Sequence, residues 1–184
     1  MIETIPEIKK RLYAMRNGIV ADTLRSAGSP YRVIFGLNLP QITEIAKEIP
    51  HSVEIAEELR ANADSRECQL LAPVIYPADR LSMEDAEIWV SETKSQEAGD
   101  ILCMKLLRHT PYALQLVERF ITSTSAPERY TALRLLFYFL PATIEKAKDY
   151  ASREFERDEP LTKSIAYSIL DEIALLTEEN QEGV

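Results

Sequence analysis

The chain has 184 residues, 46% hydrophobic and 28% charged, a balance that gives one domain a real core and excludes a disordered chain. Its 30 acidic and 21 basic residues leave a net charge of −9, which argues against phosphate binding spread over the whole surface. Five glycines against ten prolines point to many short helices, because proline fits a helix's first turn and stops a helix from running on.

Met1 is followed by Glu3, Pro6 and Glu7 rather than by a basic segment and an apolar run, so no signal peptide is readable. No apolar stretch approaches membrane-spanning length, and the expectation is a soluble cytoplasmic protein that makes no membrane contact. Ile5, Ile8, Leu12 and Met15 recur at helical spacing, and a second helix runs from about 18 to 27 before Gly28 ends it. Residues 28 to 39, GSPYRVIFGLNL, form one long irregular segment, after which Pro40 opens a helix with Ile42, Ile45, Ala46 and Ile49 on one face. Further helices are expected at about 51–62, 65–76, 82–94, 95–108, 111–122, 127–139, 141–157 and 161–177.

Ser82 precedes Asp85 at capping-box spacing, and Thr110 before Pro111 places a capping hydroxyl ahead of a proline at the first helical position. Short loops imply antiparallel helix pairs, and a pair every 35 to 45 residues matches the period of HEAT-type arrays. A four-helix bundle would not use about ten short helices. The expected architecture is therefore all-α, one domain over 1–184: a curved HEAT-like repeat α-solenoid with a concave binding face.

Cys68 and Cys103 lack metal-ligand spacing and are expected as buried free thiols; His51 and His109 are isolated, so neither a metal nor another cofactor is expected. No phosphate-cradling glycine loop, GxSxG elbow or HExxH pair is present. Residues 101 to 140 hold Lys105, Arg108, Arg119, Arg129 and Arg134 against Glu118 and Glu128, and this +3 segment is where an anionic partner is expected.

Within QEAGDILCMKLL, Asp100 shares a helix face with Cys103, Met104 and Leu107. A carboxylate there is either functional or a first-turn residue that follows an interruption at Gly99, where the helix dipole favours negative charge. Arg129 and Arg134 lie in APERYTALRLLFYFL, whose Ala132, Leu133, Leu136, Phe137 and Leu140 form a core stripe. Arg129 sits near the helix start, where a cation is disfavoured, so it needs a partner: a phosphate, Asp100, or an acid such as Glu128 or one on a neighbouring helix. Tyr130, Phe137, Tyr138 and Phe139 offer either core packing, the commoner role at helical spacing, or stacking surfaces for bases; Trp89 reads as a packing anchor, while Tyr167, one turn after Lys163, is core or groove.

These residues resemble the AlkD-type DNA alkylation repair glycosylases over most of the chain. YRVIFGLNLPQITEIAKEI is similar to that family's turn and proline-started helix, and SRECQLLAPVI, with Glu67 ahead of Leu71 and Ala72, to its next helix; Trp89 and Val90 match a tryptophan-led one. In SQEAGDILC, Asp100 stands at the family's catalytic aspartate, whereas Gln96 stands where the family has tryptophan. The family's phosphate-binding arginine falls at or beside Arg129, and Tyr167 stands at an aromatic position of the last matching helix.

The resemblance implies hydrolysis of the N-glycosidic bond of an alkylated purine in duplex DNA, without metal or deep base-flipping pocket. Asp100 would stabilise the oxocarbenium-like sugar and orient water, Gln96 would face the lesion, and Arg108, Arg129, Arg134, Lys163 and Tyr167 would hold the DNA. The loss of the tryptophan removes one support for a cation and points to weak or altered glycosylase activity. The protein is expected to be a monomer, and the alternatives to DNA repair are a non-catalytic HEAT-like scaffold for a protein partner, or a binder of a small anion at Arg129 and Lys163. Convergence of Arg108, Arg129, Arg134 and Lys163 around Asp100 favours DNA; scattering or pairing with acids favours the scaffold.

Overall fold

The computed structural model describes residues 4–182. Among the described residues eleven α-helices follow one another: α1 Ile5–Ala14, α2 Gly18–Ser26, α3 Leu39–Ala46, α4 Val53–Ala61, α5 Arg66–Ile75, α6 Met83–Ser91, α7 Gln96–Lys105, α8 Ala113–Phe120, α9 Ala126–Phe137, α10 Leu140–Glu156 and α11 Pro160–Glu182. Among the described residues the other regular elements are 3₁₀ turns at Ala78–Arg80 and Leu107–His109 and one isolated bridge between Val33 and Ser65. None of these helices is long and apolar enough to cross a membrane.

The helix starts follow from local chemistry. Ser52, Ser82 and Ser95 each accept a hydrogen bond from the backbone N–H three residues on, and prolines occupy the first turns of α1, α3, α9 and α10. Two expectations are corrected. The Thr110 hydroxyl caps nothing: it donates to the Leu107 carbonyl at 2.8 Å, closing the 3₁₀ turn, and α8 begins behind Tyr112. Gly99 does not interrupt α7, which starts at Gln96, so Asp100 lies in its second turn and is not a first-turn carboxylate.

The chain forms two compact units, divided after Leu81. In the amino-terminal unit α3 and α4 pack on α5, and the irregular segment between α2 and α3 is held by a buried carboxylate. Glu67, fully buried, accepts from the backbone N–H groups of Phe35 (2.9 Å), Gly36 (2.9 Å) and Leu37 (3.3 Å). Arg66 neutralises it at 2.6 Å and donates to the Leu37 carbonyl at 3.0 Å. Gly36 has φ +82°, and a Cβ there would stand 2.2 Å from the Asn17 carbonyl oxygen, so only glycine fits.

In the carboxy-terminal unit α9 is the central element, with α6, α7, α8, α10 and α11 all packed on it. Leu133 and Leu136 of α9, Leu102 of α7, Leu116 and Val117 of α8 and Ile169 of α11 are buried, as are Trp89 and Cys103. Cys68, in the other unit, is likewise a buried free thiol.

Candidate functional site

The α7–α9 contact builds the site. A Cβ added at Gly99 would meet Thr131 Oγ1 at 3.3 Å, so the glycine lets α7 approach α9 closely, one residue before Asp100. Gln96 and Asp100 lie one turn apart on α7, and Tyr130 and Arg134 one turn apart on α9. The four side chains meet. The Tyr130 hydroxyl donates to Asp100 Oδ1 at 2.7 Å, Gln96 Nε2 donates to the Tyr130 hydroxyl at 3.1 Å, and Arg134 Nε forms an ion pair with the same Oδ1 at 3.1 Å.

Asp100 is thus an anion with a fixed donor and a fixed counter-ion, yet its side chain keeps 35% of its exposure and that of Arg134 keeps 28%. Burial first, then the hydrogen bond to Asp100 and its charge, push the Tyr130 pKa well above the ordinary phenol range, so the hydroxyl remains a donor. Gln96 and Arg134 oppose that shift. Burial likewise raises the Cys103 thiol, which donates to the Thr131 carbonyl at 3.4 Å and is no nucleophile.

Two guanidinium groups share one ring beside this carboxylate. Arg134 lies 5.4 Å from the Tyr138 ring centre and 5.6 Å from that of Phe137, and Arg108 lies 4.9 Å from Tyr138. Arg108 is exposed and also donates to His109 Nε2 at 3.2 Å. Gln96, Asp100, Arg108 and Arg134 are therefore brought together.

Of the four cations whose convergence favours DNA, only Arg108 and Arg134 meet beside Asp100; Arg129 and Lys163 pair with acids elsewhere, the arrangement expected of a scaffold, and Tyr167 lies apart with Lys163. Arg129 is buried in an ion pair with Glu154 at 2.9 Å, and it donates to the carbonyls of Ser123 (2.9 Å) and Thr124 (3.1 Å). The neighbouring-helix acid is its partner, rather than Glu128, Asp100 or an open phosphate position. Glu154 also accepts from Thr162 at 2.7 Å, which ties α9, α10 and α11 together. Lys163 pairs with Asp158 and lies 5.5 Å from the Phe155 ring centre. Tyr167, on the next turn of α11, is 59% exposed and so is not core.

The sequence did not single out Tyr130 as Asp100's donor or Tyr138 as the ring between two arginines, because core packing is the commoner role for both. Their four-residue spacings, Tyr130 to Arg134 and Arg134 to Tyr138, were the available signal that polar groups line one edge of the α9 stripe.

Among curated proteins nothing matches this sequence. A solved structure described as belonging to a new family of proteins related to the HEAT-like repeat DNA glycosylases, with affinity for branched DNA structures, superposes with a TM-score of 0.83. The two are 17% identical, and the match covers 97% of this chain and 79% of that one. At that identity the likeness concerns the fold, which is all-α and HEAT-like. The model of the DNA alkylation repair enzyme family matches residues 8–165, and the chain belongs to that family.

Proposed function

We propose that the chain binds DNA at the Asp100 cluster, with Arg108 and Arg134 on backbone phosphates, and that it excises alkylated bases slowly. The observation that carries this reading is the double engagement of Asp100 Oδ1 by Tyr130 and Arg134. Hydrolysis of an N-glycosidic bond develops positive charge on the sugar, and a carboxylate stabilises it best when that carboxylate's own charge is not already offset. Arg134 offsets it here, and Gln96 supplies an amide where an aromatic face would attract a cation.

The same arrangement suits phosphate binding. Arg108 and Arg134 can each give charge-assisted hydrogen bonds to a phosphate, and Asp100 keeps Arg134 in position until DNA arrives. Lys163 and Tyr167 offer a second contact strip on α11, whereas Arg129 holds helices together and is assigned no DNA. The reading calls on no cofactor. The relative's affinity for branched DNA makes a branched substrate the first to compare with a plain duplex.

The test measures, on one sample at low salt, binding to duplex and four-way-junction DNA and release of methylated purines from alkylated duplex. Salt-sensitive binding is expected, with slow base release that Asp100→Asn abolishes. Absence of both binding and release would sink the reading and leave a HEAT-like scaffold for a protein partner.

A further inference from the structure

A larger positive surplus than that of residues 101–140 lies at the other end of the chain, which corrects the expectation that the middle alone welcomes an anion. Residues 9–35 hold Lys9, Lys10, Arg11, Arg16, Arg25 and Arg32 against the single acid Asp22, a local +5 in a chain of −9. The structure divides five of these six cations into two sets. Arg11 is taken by a two-pronged bond to Glu48, and Lys9 donates to Asn62 at 2.5 Å. Arg16, Arg25 and Arg32 instead line one cavity of about 350 Å³, together with Tyr13 and Phe35.

The cavity's walls are aromatic as well as cationic. Tyr13 and Phe35 meet edge to face at 6.4 Å, Tyr13 is 53% exposed, and the Arg16 guanidinium lies 3.8 Å from the Tyr13 ring centre. The acids nearby are exposed partners: Asp22 on Arg25 at 2.7 Å and Asp64 on Arg32 at 3.4 Å. Surface pairs of this kind are weak, so a phosphate can replace either acid. The floor is preorganised, because Phe35 and Gly36 are pinned by Glu67 and the Phe35 carbonyl accepts from the Asn17 N–H at 2.8 Å.

We propose that this pocket binds one nucleotide of single-stranded DNA, its phosphate on Arg16, Arg25 and Arg32 and its base against the wall of Tyr13 and Phe35. Only an unpaired strand offers a free base face for such a wall, and stacking there is tolerant of sequence. The size suits a single nucleotide rather than a helix. The site belongs to the amino-terminal unit and does not depend on the Asp100 cluster; it would let the protein engage an unpaired strand as well as a duplex.

Fluorescence anisotropy of a short labelled oligothymidylate at low salt, with the full chain, tests this. The wild type binds; Arg16→Glu/Arg32→Glu loses at least about tenfold in affinity, and Tyr13→Ala loses about tenfold. Tyr13→Phe restores binding, and Tyr13→Ala costs the same factor in an Arg108→Ala/Arg134→Ala background, because the two sites do not touch; a factor that vanishes in that background overturns the proposal. All altered side chains are at least partly exposed, and unchanged melting curves would confirm the fold. Failure of the wild type to bind overturns the proposal. So does a Tyr13→Ala variant that binds as the wild type does, since charge alone would then account for the attraction.

Discussion

Helix α9 carries two arginine–carboxylate pairs five residues apart, and they have opposite characters. Arg129 and Glu154 are 6% and 3% exposed, and the arginine is further saturated by two backbone carbonyls. Arg134 and Asp100 keep about a third of their exposure, and the arginine spreads over two aromatic rings. The same two functional groups thus make a structural lock in one place and an exchangeable pair in the other. Burial decides which: a desolvated pair cannot be opened by a ligand, whereas a half-exposed one can trade its partner for phosphate.

Breaking each pair should separate the roles. Arg129→Ala leaves the buried Glu154 with only the more distant, exposed Arg157 at 3.5 Å as counter-ion, beside the Thr162 hydroxyl, and is expected to cost about 3 kcal/mol, read by chemical denaturation, with loss of DNA binding only through loss of fold. Arg134→Ala is expected to cost no more than about 1 kcal/mol in stability. Its effect falls on DNA, with affinity reduced several-fold and the salt dependence of binding shallower by about one unit. An Arg134→Ala protein that melts like Arg129→Ala would show that the two pairs do not differ as described.

Tyr130→Phe sharpens the contrast further. It removes one donor from Asp100 and is expected to cost about 1 kcal/mol. It also changes the alkaline limb. A tyrosine whose folded pKa is raised above its ordinary value near 10 contributes stability that is fully present below that value and is lost as pH rises through the folded one. Tyr130 is such a group, as is Tyr150, pushed up to about 12 mainly by its hydrogen bond to Glu118. Stability should therefore fall above about pH 10 in the wild type. Tyr130→Phe should show a shallower fall in denaturation series across that range; an identical slope would contradict the coupling to Asp100. Gln96→Ala, which removes only a donor to the Tyr130 hydroxyl, should have the smallest effect, within about 1 kcal/mol.

Much of the fold was legible because its signals are local. Serines 52, 82 and 95 and the prolines of α1, α3, α9 and α10 mark helix starts by chemistry contained within a turn, and helical boundaries follow them closely. Thr110 misled because its hydroxyl had a competing acceptor in the preceding turn, which no spacing rule reveals. The site was half legible. Asp100 and Gln96 stand on a readable helix face, but Tyr130, thirty residues on, becomes Asp100's donor only through α7–α9 packing. Arg129's need for a partner was visible, whereas Glu154, twenty-five residues away, was not. The amino-terminal surplus is plain in the charge count; that Arg11 is consumed by Glu48 while Arg16 and Arg32 line a cavity belongs to tertiary structure.

The central claim is that the half-exposed Arg134, with Arg108, meets DNA phosphates. The most direct measurement is the salt dependence of duplex and junction binding by the wild type and Arg108→Ala/Arg134→Ala. The account predicts that the double variant stays folded, binds at least about tenfold more weakly at low salt, and loses about two units from the slope of log affinity against log salt. A folded double variant with unchanged affinity and slope would contradict it and move the DNA contact away from the Asp100 cluster.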